Sequence, residues 1–172
     1  MAEAKIWDPV VRIFHWTVAA AFLANHFVLE EGGDIHELAG YYILIAVGVR
    51  IIWGFVGTKN ARFSDFFPTP SGIKEHISAM RSGQMPEENG HNPVGALMVF
   101  ALLIGMIVAG GTGWMSEMDA FMWEDWVLEV HEVAANLTLL LVFVHVAAVL
   151  FFSFKGPRNL IRQMVTGRIE RR

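Results

Sequence analysis

The sequence predicts an all-α membrane protein: one integral membrane domain over residues 1–172, built as a bundle of four transmembrane helices with both termini in the cytoplasm. Three observations predict it. The 172 residues are 54% hydrophobic, and the apolar ones gather into four runs long enough to cross hydrocarbon. The 13 Lys and Arg residues all fall on one side if there are four spans, which makes that side the cytoplasm. The six tryptophans divide evenly between the two expected interfaces.

The spans are expected at about residues 10–29, 36–56, 93–114 and 126–154. Asp8-Pro9 opens the first as an N-cap followed by proline at the first helical position. The first run is as long as a full span and is interrupted by His15, so it is read as a helix that stays rather than as a cleaved signal peptide. Asp34 and Glu37 form a capping-box-like pair at the second helix. Pro93 opens the third and Gly156-Pro157 closes the fourth. In the loop after the second span, Pro68 to Gly72 marks a turn. Ile73, His76, Ile77 and Met80 then follow helical spacing, as expected of a short helix on the membrane surface. Leu160, Ile161, Met164 and Val165 repeat the idea before Gly167.

Lys5 and Arg12 flank the start of the first span. Arg50, Lys59, Arg62, Lys74 and Arg81 lie at the end of the second or in the loop beyond. Lys155, Arg158, Arg162, Arg168, Arg171 and Arg172 follow the fourth. The two outer connections carry only acidic charge, at Glu30, Glu31 and Asp34 and at Glu117, Asp119, Glu124 and Asp125. The absence of cysteine excludes disulfides, thiolate metal sites, cysteine-ligated iron–sulfur clusters and covalent c-type haem.

The histidines carry the chemistry. His131 and His145 stand fourteen residues apart in the fourth run. That spacing returns to within about 40° of the starting direction and rises about 21 Å, so both imidazoles leave one helix face at two depths. Ionisable residues inside a span are costly and usually functional. Depth pairs His15 with His145 on the inner side and His36 with His131 on the outer side. Haem fits such pairs better than bare zinc, which wants three or four ligands that neither level supplies. His26, eleven residues after His15 and about 20° round the same face, is a rival for the outer level. Arg12, Arg50 and Lys155 are candidates for haem propionates or a quinone pocket, with membrane anchoring the plainer reading. Trp16 and Trp53 are read either as quinone neighbours or as belt residues. His76 and His91 are read as surface or structural residues, and Met98, Met106, Met115, Met118 and Met122 as apolar filler or loop.

The chain resembles the prokaryotic cytochrome b561 family, which includes the b-type cytochrome subunits of nickel–iron hydrogenases. The residues that carry the likeness are Trp7-Asp8-Pro9, Arg12 to Trp16, His36 to Tyr41, Arg50 to Phe55 with Gly57, Ala61-Arg62-Phe63, His91-Asn92-Pro93 with Gly95, His131-Glu132 with His145, and the tail from Asn159 to Gly167. The resemblance implies two non-covalent b-type haems held between the helices. The inner iron would be ligated by His15 and His145, and the outer by His36 and His131. It further implies electron transfer in the bacterial inner membrane between quinone or quinol and a partner such as a periplasmic cytochrome c or another redox protein, within a respiratory chain. Membrane lipid is the other expected partner, and no nucleic acid is expected. A superoxide:quinone oxidoreductase and a membrane subunit of a larger dehydrogenase or hydrogenase stand as alternatives. A non-redox membrane scaffold is the weakest, for want of third and fourth metal ligands.

Overall fold

The computed structural model describes residues 5–83, 90–121 and 123–169. Of the positions singled out above, Met122, Arg171 and Arg172 lie outside them. Among the described residues the chain is helical, with one isolated antiparallel bridge between Lys5 and Arg168. The helices are α1 (Pro9–Phe27), α2 (Asp34–Val56), α3 (Pro70–Arg81), α4 (Pro93–Ser116), α5 (Asp125–Lys155) and α6 (Leu160–Thr166), with a 3₁₀ turn at Phe63–Asp65.

α2, α4 and α5 are long and apolar enough to cross a membrane. α5, with 31 residues, is about 46 Å long, well beyond the ~30 Å of hydrocarbon it would cross. Leu38, Ile45, Leu140, Phe143 and Phe154 are all exposed, a distribution suited to lipid rather than to water. α1 forms nearly where expected, but Arg12, His15, Asn25 and His26 make it more polar, and it does not reach the composition of the other three. Among the described residues, length and composition therefore mark three candidate spans where four were expected.

Helix ends follow local chemistry. The Asp8 carboxylate accepts from the Val11 amide at 3.0 Å, with Pro9 first in the helix. Asn92 caps α4 by accepting from Gly95 at 2.6 Å. Thr69 caps α3 through the Gly72 amide at 3.1 Å, and Asn159 caps α6 through the Arg162 amide at 2.9 Å. Gly167 ends α6 in the left-handed region, at φ 76°, where a side chain would be strained. Two starts differ from expectation. α3 begins at Pro70, inside the stretch expected to be a turn, because Thr69 caps it and proline suits the first helical position. Asp34 already lies inside α2, and the Glu37 amide donates to the carbonyl of Gly33 at 3.1 Å. The two carboxylates still sit in the first turn, where they favour the positive end of the helix dipole.

The contacts divide into two compact units. The first comprises Met1–Arg12, Ile52–Phe100 and Phe143–Arg172. Its core joins Ile6, Trp7, Val11 and Ala61, with Trp53, Met164 and Ile169 packed against them. Asp8 is its polar hub, receiving Trp53 Nε1–H at 3.0 Å and the Thr58 hydroxyl at 2.5 Å besides the Val11 amide. Burial alone would raise the pKa of Asp8. The hydrogen bonds from Thr58, Trp53, Val11 and Val10 outweigh it and hold the carboxyl below the usual aspartate range.

The second unit comprises Ile13–Ile51 and Ala101–Val142. Its helices approach closely at glycines. A Cβ on Gly105 would stand 2.3 Å from Thr138 Oγ1, and one on Gly110 would stand 2.7 Å from Leu44. The Tyr42 hydroxyl donates to Thr17 Oγ1 at 2.5 Å, which ties α1 to α2.

Candidate functional site

His131 and His36 meet within the second unit. His131 is the seventh residue of α5 and points at α4. Its Nδ1 lies 2.7 Å from the carbonyl oxygen of Ala109. A carbonyl only accepts, so Nδ1 carries the proton and Nε2 of the neutral ring keeps its lone pair. The Thr112 hydroxyl also reaches Ala109 O, at 3.1 Å. Gly113, one turn further along α4, leaves room for the ring. A Cβ there would come within 3.1 Å of both Nδ1 and Cε1.

His36 is the third residue of α2. Its ring centre lies 6.2 Å from that of His131, with the planes at 69°. That spacing is ordinary for an edge-to-face ring pair, and it is also wide enough for a metal to be held between one nitrogen of each ring.

The donor set suits haem rather than a bare ion. Among the described residues no three His, Cys, Asp or Glu side chains form a group able to hold a metal. Two imidazoles satisfy a porphyrin iron, whose other four positions are already filled. Gly40, one turn after His36, adds space, since a Cβ there would meet nothing within 4 Å. Nδ1 of His36 is buried with no hydrogen-bond partner among the described residues.

The other predicted residues are placed as follows. His15, in α1, is half-buried, with its ring edge-on to Trp16 at 4.9 Å. His145 is half-buried in α5. His15 belongs to the second unit and His145 to the first. His26 packs between Phe22 and Phe27 of its own helix, at 6.3 and 5.0 Å. Arg50 is 3% exposed within α2. Arg12 closes the C-terminal end of α6. Its Nε donates to the Met164 carbonyl at 3.3 Å, and its Nη2 donates to that of Val165. His76 is buried, and His91 lies against Trp7 and Phe66 at 4.7 and 4.5 Å. Trp53 serves the Asp8 hub.

Sequence reasoning missed Asn25, whose Nδ2 donates to the carbonyl of His36 at 3.1 Å. The signal was present, because an asparagine inside an apolar helix is costly unless it is used. It stood beside His26, which drew the attention. The Ala109 carbonyl was not findable, since backbone acceptors leave no trace in residue identity.

Apolar helices of spanning length with two neighbouring imidazoles between them are the parts from which a membrane haem protein is built. The chain belongs to the prokaryotic cytochrome b561 family, whose model matches residues 6–167. It is similar to a probable Ni/Fe-hydrogenase B-type cytochrome subunit of Rhizobium leguminosarum bv. viciae, at 22% identity over 94% of this chain and 87% of that protein. No solved structure matches it. Membership makes it a membrane cytochrome of the b type, with b-type haem as the implied cofactor and electron transfer as the class of activity.

Proposed function

We propose that the chain is a di-haem b-type cytochrome that carries electrons across the bacterial inner membrane, between the quinone pool and a periplasmic redox partner. The observation that carries this reading is the 6.2 Å separation of the His36 and His131 rings, with the His131 proton committed to Ala109. When bound, haem supplies one-electron storage. His36 and His131 would hold the haem at the outer level, and His15 and His145 the one at the inner level. α1 is then the fourth span, its polar residues turned to use inside the bundle.

The residues set the conditions for transfer. The Ala109 carbonyl strengthens His131 as a donor and fixes its ring. The apolar helices keep water from the site and so tune potential. Arg50, a buried cation, is suited to a propionate or a quinone carbonyl. Arg12 is already committed to α6, which makes it the weaker candidate. The acidic outer connections would draw a basic partner such as a periplasmic cytochrome c.

Stopped-flow spectroscopy of the purified protein tests the proposal. A quinol should reduce the haem, and a basic cytochrome c should reoxidise it, roughly 10-fold or more faster at low than at high ionic strength. Haem that no quinol reduces, or exchange indifferent to salt, would contradict the corresponding half of the proposal.

A further inference from the structure

Asn25 lies two residues before the end of α1. A primary amide in an apolar helix needs a use that repays its desolvation. One use is visible: Nδ2 donates to the carbonyl oxygen of His36 at 3.1 Å. Oδ1 of Asn25 and Nδ1 of His36 are each buried without a hydrogen-bond partner among the described residues.

The two facing imidazoles are held differently. His131 is gripped on its ring, through Nδ1 and Ala109 O. It stands in the second turn of a 31-residue helix, hemmed by Gly113. His36 stands in the first turn of α2, where backbone amides lack intrahelical partners and helices fray. The residues before it include Gly32 at φ 69°, a region that glycine enters without steric cost. The hydrogen bond described for His36 acts on its backbone and comes from Asn25.

We propose that Asn25 is the positioning residue for His36: by holding the His36 carbonyl it keeps the first turn of α2 in register, and so keeps this imidazole on the iron opposite His131. The inference rests on the reading of His36 as an axial ligand. Asn25 acts through His36 and touches no reacting atom.

Carbon monoxide uptake by the dithionite-reduced protein is the test, because a ferrous haem with two imidazoles excludes this ligand and one that has lost an imidazole takes it. The series is wild type, Asn25→Leu, Asn25→Ala, His36→Ala and the His36→Ala/Asn25→Leu double variant. Asn25→Ala removes the amide without adding bulk and favours helix, so it guards against simple misfolding. Both Asn25 variants should raise the carbon monoxide-reactive share of haem roughly 10-fold over wild type, the scale on which supporting contacts to ligands act. The double variant should match His36→Ala alone. Wild-type resistance in both Asn25 variants, alongside a reactive His36→Ala, would overturn the role of Asn25 and leave the ligand assignment standing. So would an added increment in the double variant. A resistant His36→Ala would overturn both.

Discussion

Nδ1 of His131 lies 2.7 Å from the carbonyl oxygen of Ala109, a bond between a side chain of α5 and the backbone of α4. It makes Nδ1 the donor, which in the neutral ring leaves the lone pair on Nε2. A ligand held in this way depends on how closely α4 approaches, and that is set by glycine.

The glycines of α4 therefore separate sharply. A Cβ on Gly113 would press on the His131 ring at 3.1 Å, while one on Gly111 would meet nothing within 4 Å. Gly113→Val should weaken haem retention at this level roughly 10–100-fold. Gly111→Ala should leave it at wild type. Haem-to-protein ratios after dilution in detergent would check the pair, and equal effects would count against the placement of His131.

Packing of α4 on α5 rests on Gly105 and Thr138. Gly105→Ala sets a methyl 2.3 Å from Thr138 Oγ1 and should cost about 1–3 kcal/mol through overpacking. Thr138→Ala in the same chain removes the opposing atom and should recover most of that loss. A double-mutant cycle on thermal unfolding reads the coupling, and strict additivity would contradict the contact.

Asp8 gives a pH prediction. Its folded pKa is depressed by hydrogen bonds from Thr58, Trp53, Val11 and Val10, which win over the opposing effect of burial. The stabilisation is thus fully present above the ordinary aspartate range. It is lost as pH falls below about 4 and through the lower folded value. Asp8→Asn should flatten this acid limb of the unfolding profile. Asp8→Ala should lower stability at neutral pH by about 2–4 kcal/mol, from the lost cap and the stranded donors of Trp53 and Thr58.

Much of this was readable in the chain. Proline and cap residues placed the starts of α1 and α4, because those signals act locally, and apolar spacing placed α6. The turn read over Pro68 to Gly72 misplaced α3, which already begins at Pro70 behind the Thr69 cap. Asp34 misled by one position, since Gly33 supplies the carbonyl that begins α2. Depth put His36 and His131 at one level but left His26 as a rival, and it was the family resemblance that favoured His36; the rings of His36 and His131 stand 6.2 Å apart. What sequence did not show was which groups hold the ligands. Ala109 acts through its backbone, Asn25 through a contact across helices, and Arg12 through the carbonyls of a helix some 150 residues later (residues 12 and 164). Such contacts depend on the packing of helices, and residue spacing along one helix does not contain it.

The measurement that bears most directly on the account is the haem content of the purified protein. It would be taken by pyridine haemochrome, with reduced-minus-oxidised spectra, for wild type and His131→Ala. The account predicts two low-spin b haems per chain in the wild type and one in the variant. A chain from haem-replete cells that binds none, or a content that His131→Ala leaves unchanged, would contradict it.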